Sequence, residues 1–210
     1  MRHSVPRPPA AIVSCHLERP LDDAAWARFD ALQRRRPGGF DVLALMRPPD
    51  PAFGENEDAW LSRARTAAAR APFGLHTHWT SPTHARPTGG DPAERVRRDA
   101  EWMRSRGLEP SFFCGGGWYS DDAVRETLRE LGLVDCTPRD DGGPRDGVLP
   151  TTHSIGRLTR GVIGSLPAYV HAYFHDYDLV DPVRRAALAS SHAVLARRRP
   201  PLELSRASAR

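Results

Sequence analysis

The sequence contains no lysine: all 30 of its basic residues are arginine. Alongside abundant Ala, Pro and Gly, that reads as a codon-composition bias, so the formal net charge of +4 says little about partners. The arginines are scattered beside Asp and Glu along helical stretches, as on solvated faces. The two runs, 34–36 and 197–199, fall at helix ends, where cations favour the dipole. No nucleic-acid partner is expected. Cysteine is scarce: Cys15, Cys114 and Cys136 are odd in number and form no CxxC pair. That argues against a disulfide framework and against a cysteine-zinc module. No apolar run approaches a membrane span. Residues 1–9 carry charge and prolines but no apolar stretch of the secretory kind, so a cytoplasmic location is the expectation.

What is present is ordinary for a globular chain: 40% hydrophobic and 27% charged over 210 residues, enough for one domain with a substantial core. Strand and helix patterns alternate. Apolar runs at 10–17, 40–46, 73–79, 111–114, 133–137, 148–155 and 168–175 read as strands. Helical spacing is seen at 23–36, 55–71, 91–106, 121–131 and 181–199. Asp22 and Asp91-Pro92 mark helix starts, and Gly107 and Gly132 mark helix ends. This succession predicts an α/β fold with a parallel sheet. Polar residues recur at the carboxyl ends of nearly every strand: His16 and Glu18, His76 and His78, the 115–117 glycines, Asp135, His153 and His175. A doubly wound sheet would gather them at one switch point, so a β/α barrel is favoured. The expected organisation is a disordered lead-in over 1–9, one barrel domain over 10–199 and a frayed tail over 200–210.

The densest chemistry lies at 74–84. Strand alternation places His76 and His78 on one face, and a Ser/Thr/Pro loop brings in His84. Imidazoles gathered at a strand end under a polar loop suit metal binding or acid/base work, although any one of them alone reads equally well as a structural histidine.

The pair His76-Thr77 with the later His84, the stretch 112–124 running on to Cys136, and the strand end Tyr173-Phe-His175 together resemble, in order and spacing, the second, third and fifth motifs of the polysaccharide deacetylase (NodB-like) superfamily, carbohydrate esterase family 4. The likeness spans roughly residues 10–195. It implies a distorted seven-stranded parallel β/α barrel and a metal-dependent hydrolase that removes an acetyl group from an N-acetylated sugar or glycoconjugate. It implies a divalent metal, with Zn²⁺ the leading choice, held by His76 and by His84 or His78; His16, at the altered end of the first strand, is a further candidate ligand. It also implies a carbohydrate as substrate and His175 as catalytic acid. Asp135 or Asp176 is a candidate to hold the His175 tautomer, and either reads equally well as a helix cap or turn residue. The oligomeric state is left open.

The departures fall together. Where the family has an Asp pair ending the first strand, this chain has Ser14, Cys15, His16, Leu17 and Glu18. Where the family has an arginine orienting the base, it has Cys114. Removing the base carboxylate would leave that arginine an unpaired buried charge, so the two changes belong together. Glu18 is the candidate general base, or else a surface carboxylate paired to Arg19 or Arg28. The amides around Gly116 and Gly117 suit an oxyanion or a tight strand-to-helix turn. Trp79, Trp118 and Tyr119 suit sugar stacking or the core. The alternatives to a deacetylase are a silent barrel that binds a glycan or partner, and a metal-dependent amidase or esterase with a non-sugar substrate.

Overall fold

The computed structural model describes residues 9–140, 143–161 and 164–204; residues 1–8 of the expected lead-in and 205–210 of the tail lie outside them. The elements in order are β1 (Ala10–Leu17), α1 (Asp23–Arg35), β2 (Val42–Met46), α2 (Glu57–Ala68), β3 (Phe73–Thr77), α3 (Pro92–Ser105), β4 (Phe112–Gly115), α4 (Asp122–Leu131), β5 (Val134–Asp135), β6 (His153–Ser154), α5 (Ile155–Gly161), β7 (Tyr169–His175) and α6 (Pro182–Arg198). Five of the helices start where a side chain can satisfy free backbone N–H groups: Asp22, Asn56, Asp91, Asp121 and Asp181 each accept from the first turn.

The seven strands form one sheet in the order β5-β4-β3-β2-β1-β7-β6, and every neighbouring pair is parallel. The sheet curls into a barrel because one segment touches both of its ends. Leu149 donates its backbone N–H to Asp135 of β5 and Thr151 to Cys136 just after it, and Thr152 donates to His171 of β7. The strand expected over 148–155 is therefore split between two partners, and only His153–Ser154 is regular strand. Pro150, at the crossover, has no N–H to give to either ladder.

Alternation along the strands sorts side chains into two layers. Ala11, Val13, Cys15 and Leu17 of β1 pack outward against the helices with Phe29, Trp60 and Val96. Ile12 faces inward with Leu43, Leu45, Phe112, Cys114 and Val134. The tail is not frayed where it is described. Ala11 donates to the Pro200 carbonyl (2.9 Å) and Leu202 donates to the Ala11 carbonyl (2.8 Å). Leu204, 3% exposed, joins the inner cluster beside Ile12. The apolar residues at 202 and 204 gain burial that a loose end would forgo. Below, the barrel is filled mostly with apolar side chains, with the bonded pair Ser14 and His171 among them; above, at the carboxyl ends of the strands, its lining turns polar.

Candidate metal centre

Glu18 lies just past the end of β1, and its backbone is held from two sides. Arg47, 3% exposed, donates to the Glu18 carbonyl from Nε and Nη2 (3.3 Å each), and its guanidinium is itself paired with Glu55. The next N–H, that of Arg19, donates to Asp176 Oδ2 (2.7 Å). Asp176 is fully buried directly after β7, and burial pushes its carboxyl pKa up to about 6. The turn that carries Glu18 is thus tied both to β2 and to the end of β7.

Two imidazoles of β3 and its extension face this carboxylate. His76 Nδ1 lies 2.8 Å from the Cys114 carbonyl oxygen, and His78 Nδ1 lies 3.0 Å from the Pro82 carbonyl oxygen. A carbonyl only accepts, so each ring donates from Nδ1 and keeps a lone pair on Nε2. Each Nε2 is buried with no hydrogen-bond partner, and each lies 3.7 Å from Glu18 Oε1. His175 Nε2, at the end of β7, lies 3.6 Å from the same oxygen. Burial alone would push the Glu18 carboxyl pKa up, but the surrounding imidazoles, when protonated, outweigh it and hold the group far below the usual carboxylate range. Burial pushes the His76 imidazole down.

A divalent cation fits these residues. Two buried lone pairs aimed at one carboxylate oxygen are costly without a shared partner. Rings tethered through Nδ1 to backbone carbonyls are the usual support for imidazole ligands. The ligand atoms of Glu18, His76 and His78 all lie within 4.8 Å of one another, and two imidazoles with a carboxylate suit zinc and neighbouring first-row metals.

The outer wall is aromatic. Tyr177 stacks on His175 (ring centroids 4.8 Å, 7°), with the Arg19 guanidinium 5.6 Å from the Tyr177 ring centroid. Beneath the carboxylate lies His16, fully buried, with neither ring nitrogen hydrogen-bonded. His76, Trp118, Tyr173 and His175 surround its ring at 4.8–5.4 Å.

Among solved structures, a family 4 carbohydrate esterase from Streptomyces lividans in complex with acetate superposes with a TM-score of 0.57 at 13% identity, over 90% of this chain and 88% of that one. A mutant of a family 4 pseudoenzyme with restored enzymatic activity gives 0.59 at 13% identity, over 92% of this chain and 65% of that one. The chain has the NodB-like polysaccharide deacetylase fold. A 4-alpha-glucanotransferase from Thermococcus litoralis gives 0.57 at 12% identity, over 94% of this chain but 38% of that one, so the barrel alone does not name a reaction. No protein-family profile matches the chain, and no curated protein matches it.

Within this deacetylase fold, the expected site residues separate. His16, Glu18, His76, His78 and His175 converge. His84 does not: its loop folds back on itself through bonds between Thr80, Ser81 and His84, and the imidazole is exposed. What the loop contributes is the Pro82 carbonyl, which orients His78. Asp135 is also elsewhere. Its carboxylate accepts from Thr137 N (2.8 Å) and Ser120 Oγ (3.3 Å) and pairs with Arg139, so it closes its own turn after β5. The carboxylate beside His175 is Asp178, which neither motif nor spacing singled out. Its Oδ2 accepts the His175 backbone N–H (2.9 Å) and lies 3.7 Å from Nδ1. The signal for it was its place three residues past a strand-end histidine, in the short 3₁₀ turn Asp176–Leu179.

The glycine turn after β4 is required by close approach, since a Cβ on Gly115 would lie 1.9 Å from the Tyr119 carbonyl oxygen. Trp79 donates to the Gly116 carbonyl (3.1 Å) and Arg86 to the Gly117 carbonyl (3.1 Å). Trp79 is buried against Phe113 and Tyr119 in the outer layer, and Tyr119 donates to Asp121. Both rings brace the turn. Trp118 alone of the three reaches the site. It is 37% exposed, has a left-handed φ of 63°, and lies 4.8 Å from Tyr173. A bulky residue in that region is strained and is held there by its surroundings.

Proposed function

We propose that the protein is a metal-dependent deacetylase that removes an acetyl group from an N-acetylated sugar or glycoconjugate. The observation that carries this reading is the convergence of three imidazole Nε2 atoms on Glu18 Oε1 at 3.6–3.7 Å, two of them buried and otherwise unpartnered. Glu18, His76 and His78 would hold the ion, with Zn²⁺ the best match to the donor set. Once bound, such an ion lowers the pKa of a coordinated water and polarises the acyl carbonyl. Glu18 is then a ligand, and the role of general base moves away from it.

The proton work falls to His175. It sits at the mouth, with Nε2 toward the centre and Nδ1 toward Asp178. It takes the proton of the attacking water and gives it to the leaving amine, and the Asp178 carboxylate stabilises the imidazolium in between. Tyr177 keeps the ring in plane by stacking. Trp118 and Tyr173 close the site above His16 and offer apolar faces to a sugar or its acetyl methyl. The missing Asp pair of the first motif favours a second reading, a barrel that binds a glycan without turning it over.

Elemental analysis of wild type beside the His76→Ala/His78→Ala variant, both confirmed folded, tests the centre. About one first-row ion per chain, lost in the variant, is expected. Acetate release from N-acetyl sugars, set against simple amides and esters, then tests the substrate class. No metal in the wild type even after incubation with Zn²⁺ would sink the hydrolase and leave the binding barrel.

A further inference from the structure

The barrel treats two of its inward-facing histidines differently. One layer below the centre, His171 has both ring nitrogens matched: Nδ1 to the Leu149 carbonyl (2.8 Å) and Nε2 to Ser14 Oγ (2.9 Å). That is how this barrel accommodates a structural histidine. His16, two residues along β1 from Ser14 and equally buried, has both nitrogens unmatched. A neutral imidazole so placed leaves one buried donor and one buried acceptor unsatisfied. Beside it, on β4, the buried thiol of Cys114 points into the same inner layer. The ligand atoms of His16, His76 and Cys114 lie within 4.8 Å of one another.

We propose that His16, His76 and Cys114 form a second metal seat beneath the first, one that takes a thiolate-preferring ion softer than the Zn²⁺ of the upper seat. On binding, the Cys114 thiol releases its proton to solvent as the sulfur–metal bond forms. The donor sets differ in kind: the upper seat offers a carboxylate and two imidazoles, the lower a thiolate and two imidazoles, so softer ions favour the lower. His76 belongs to both sets, and a neutral imidazole has a single lone pair. The two seats therefore exclude each other. An ion below removes His76 from Glu18 and His78, and a soft metal switches the hydrolase off. Occupancy of the lower seat stands on the side chains alone; only its consequence for turnover rests on the hydrolase reading.

The test is Co²⁺ titration of metal-stripped protein. The proteins are wild type, Glu18→Ala/His78→Ala (upper seat removed), Cys114→Ser and Cys136→Ser, all checked for folding. In the upper-seat variant, cobalt binding is expected with a near-ultraviolet thiolate-to-cobalt charge-transfer band. That band is lost in Cys114→Ser and kept in Cys136→Ser. X-ray absorption at the cobalt edge of the upper-seat variant should show a sulfur neighbour at about 2.3 Å, which keeps the test decisive if Cys114→Ser does not fold. Cobalt with only nitrogen and oxygen neighbours, no cobalt at all in the upper-seat variant, or a band that survives Cys114→Ser each overturns the lower seat. None of these touches the hydrolase reading if wild type still binds an ion and releases acetate. Conversely, a sulfur-ligated ion in the upper-seat variant, together with a wild type that releases no acetate when its ion has only nitrogen and oxygen neighbours, keeps this proposal and removes the hydrolase.

Discussion

His175 and Asp178 are held by different means, and that separates two kinds of loss. His175 is fixed by the end of β7 and by the stacked Tyr177 ring; its ring touches the centre but completes no buried ligand pair. His175→Ala is therefore expected to leave metal content unchanged while lowering kcat about 10²–10⁴-fold, read by acetate release beside elemental analysis. Asp178→Asn keeps an acceptor for the His175 N–H but removes the charge beside Nδ1, so kcat should fall with little change in KM. Loss of bound metal in His175→Ala would instead make the residue a ligand. His175 was legible in the sequence because a histidine at a strand end needs only period-two alternation to be placed. Asp178 was not, because its approach depends on a 3₁₀ turn that reads as loop. Between His78 and His84, both candidates in the sequence, the structure brings His78 to the centre and leaves His84 exposed. Residue spacing cannot reveal that the loop turns its Pro82 carbonyl inward and its imidazole outward.

Between elements, the ties that matter cross from one strand to the next. Arg47, at the end of β2, joins Glu55 ahead of α2 to the Glu18 carbonyl after β1, and its own carbonyl accepts from Trp60 Nε1 (2.7 Å). Arg47→Ala leaves Glu55 without its partner in a half-buried position and frees the Glu18 turn. A loss of about 3 kcal/mol of stability is expected, together with weaker metal binding. Denaturant titration and metal competition measure the two. Unchanged metal affinity would mean that Asp176 alone positions Glu18. The elements were largely legible, since apolar runs and acidic caps placed the strands and the helix starts. What stayed hidden were contacts between distant segments: the split of 148–155 between β5 and β7, and the seating of residues 200–204 against β1. Local pattern assigns such segments to one strand or to none, whereas the barrel has two edges to join and a lower mouth to fill. Leu204→Ala, which opens that mouth, should cost about 2–3 kcal/mol; a change near zero would mean that the tail is loosely seated.

At the scale of the whole molecule, the fold buries histidines away from the centre, His171 inside the barrel and His192 on α6 beneath the helices. Burial holds both His171 and His192 down to about pKa 4, and His192, packed near Phe40 and Phe174, has an unpaired Nδ1. Unfolded, each would titrate near 6.5. Between roughly pH 6.5 and 4 the unfolded chain therefore binds more protons than the folded one, and stability falls as pH falls through that window. Below about 4 the contribution is spent. Each ring contributes on the order of 3 kcal/mol, with full stability above about pH 6.5. Asp176 acts with the opposite sign. Its carboxyl is raised to about 6, so it favours the folded state below its unfolded value near 3.9 and loses that contribution as pH rises through about 6. A pH profile of wild type alone therefore mixes opposing slopes. The difference between wild type and His192→Leu does not, because Asp176 contributes equally to both. In urea titrations of metal-stripped protein at pH 7.5, 5.5 and 4.5, wild type should lose more stability than His192→Leu on acidification, with the gap opening below about pH 6.5. Parallel profiles would mean that the fold accommodates a charged His192, and that the pocket between Phe40 and Phe174 admits water.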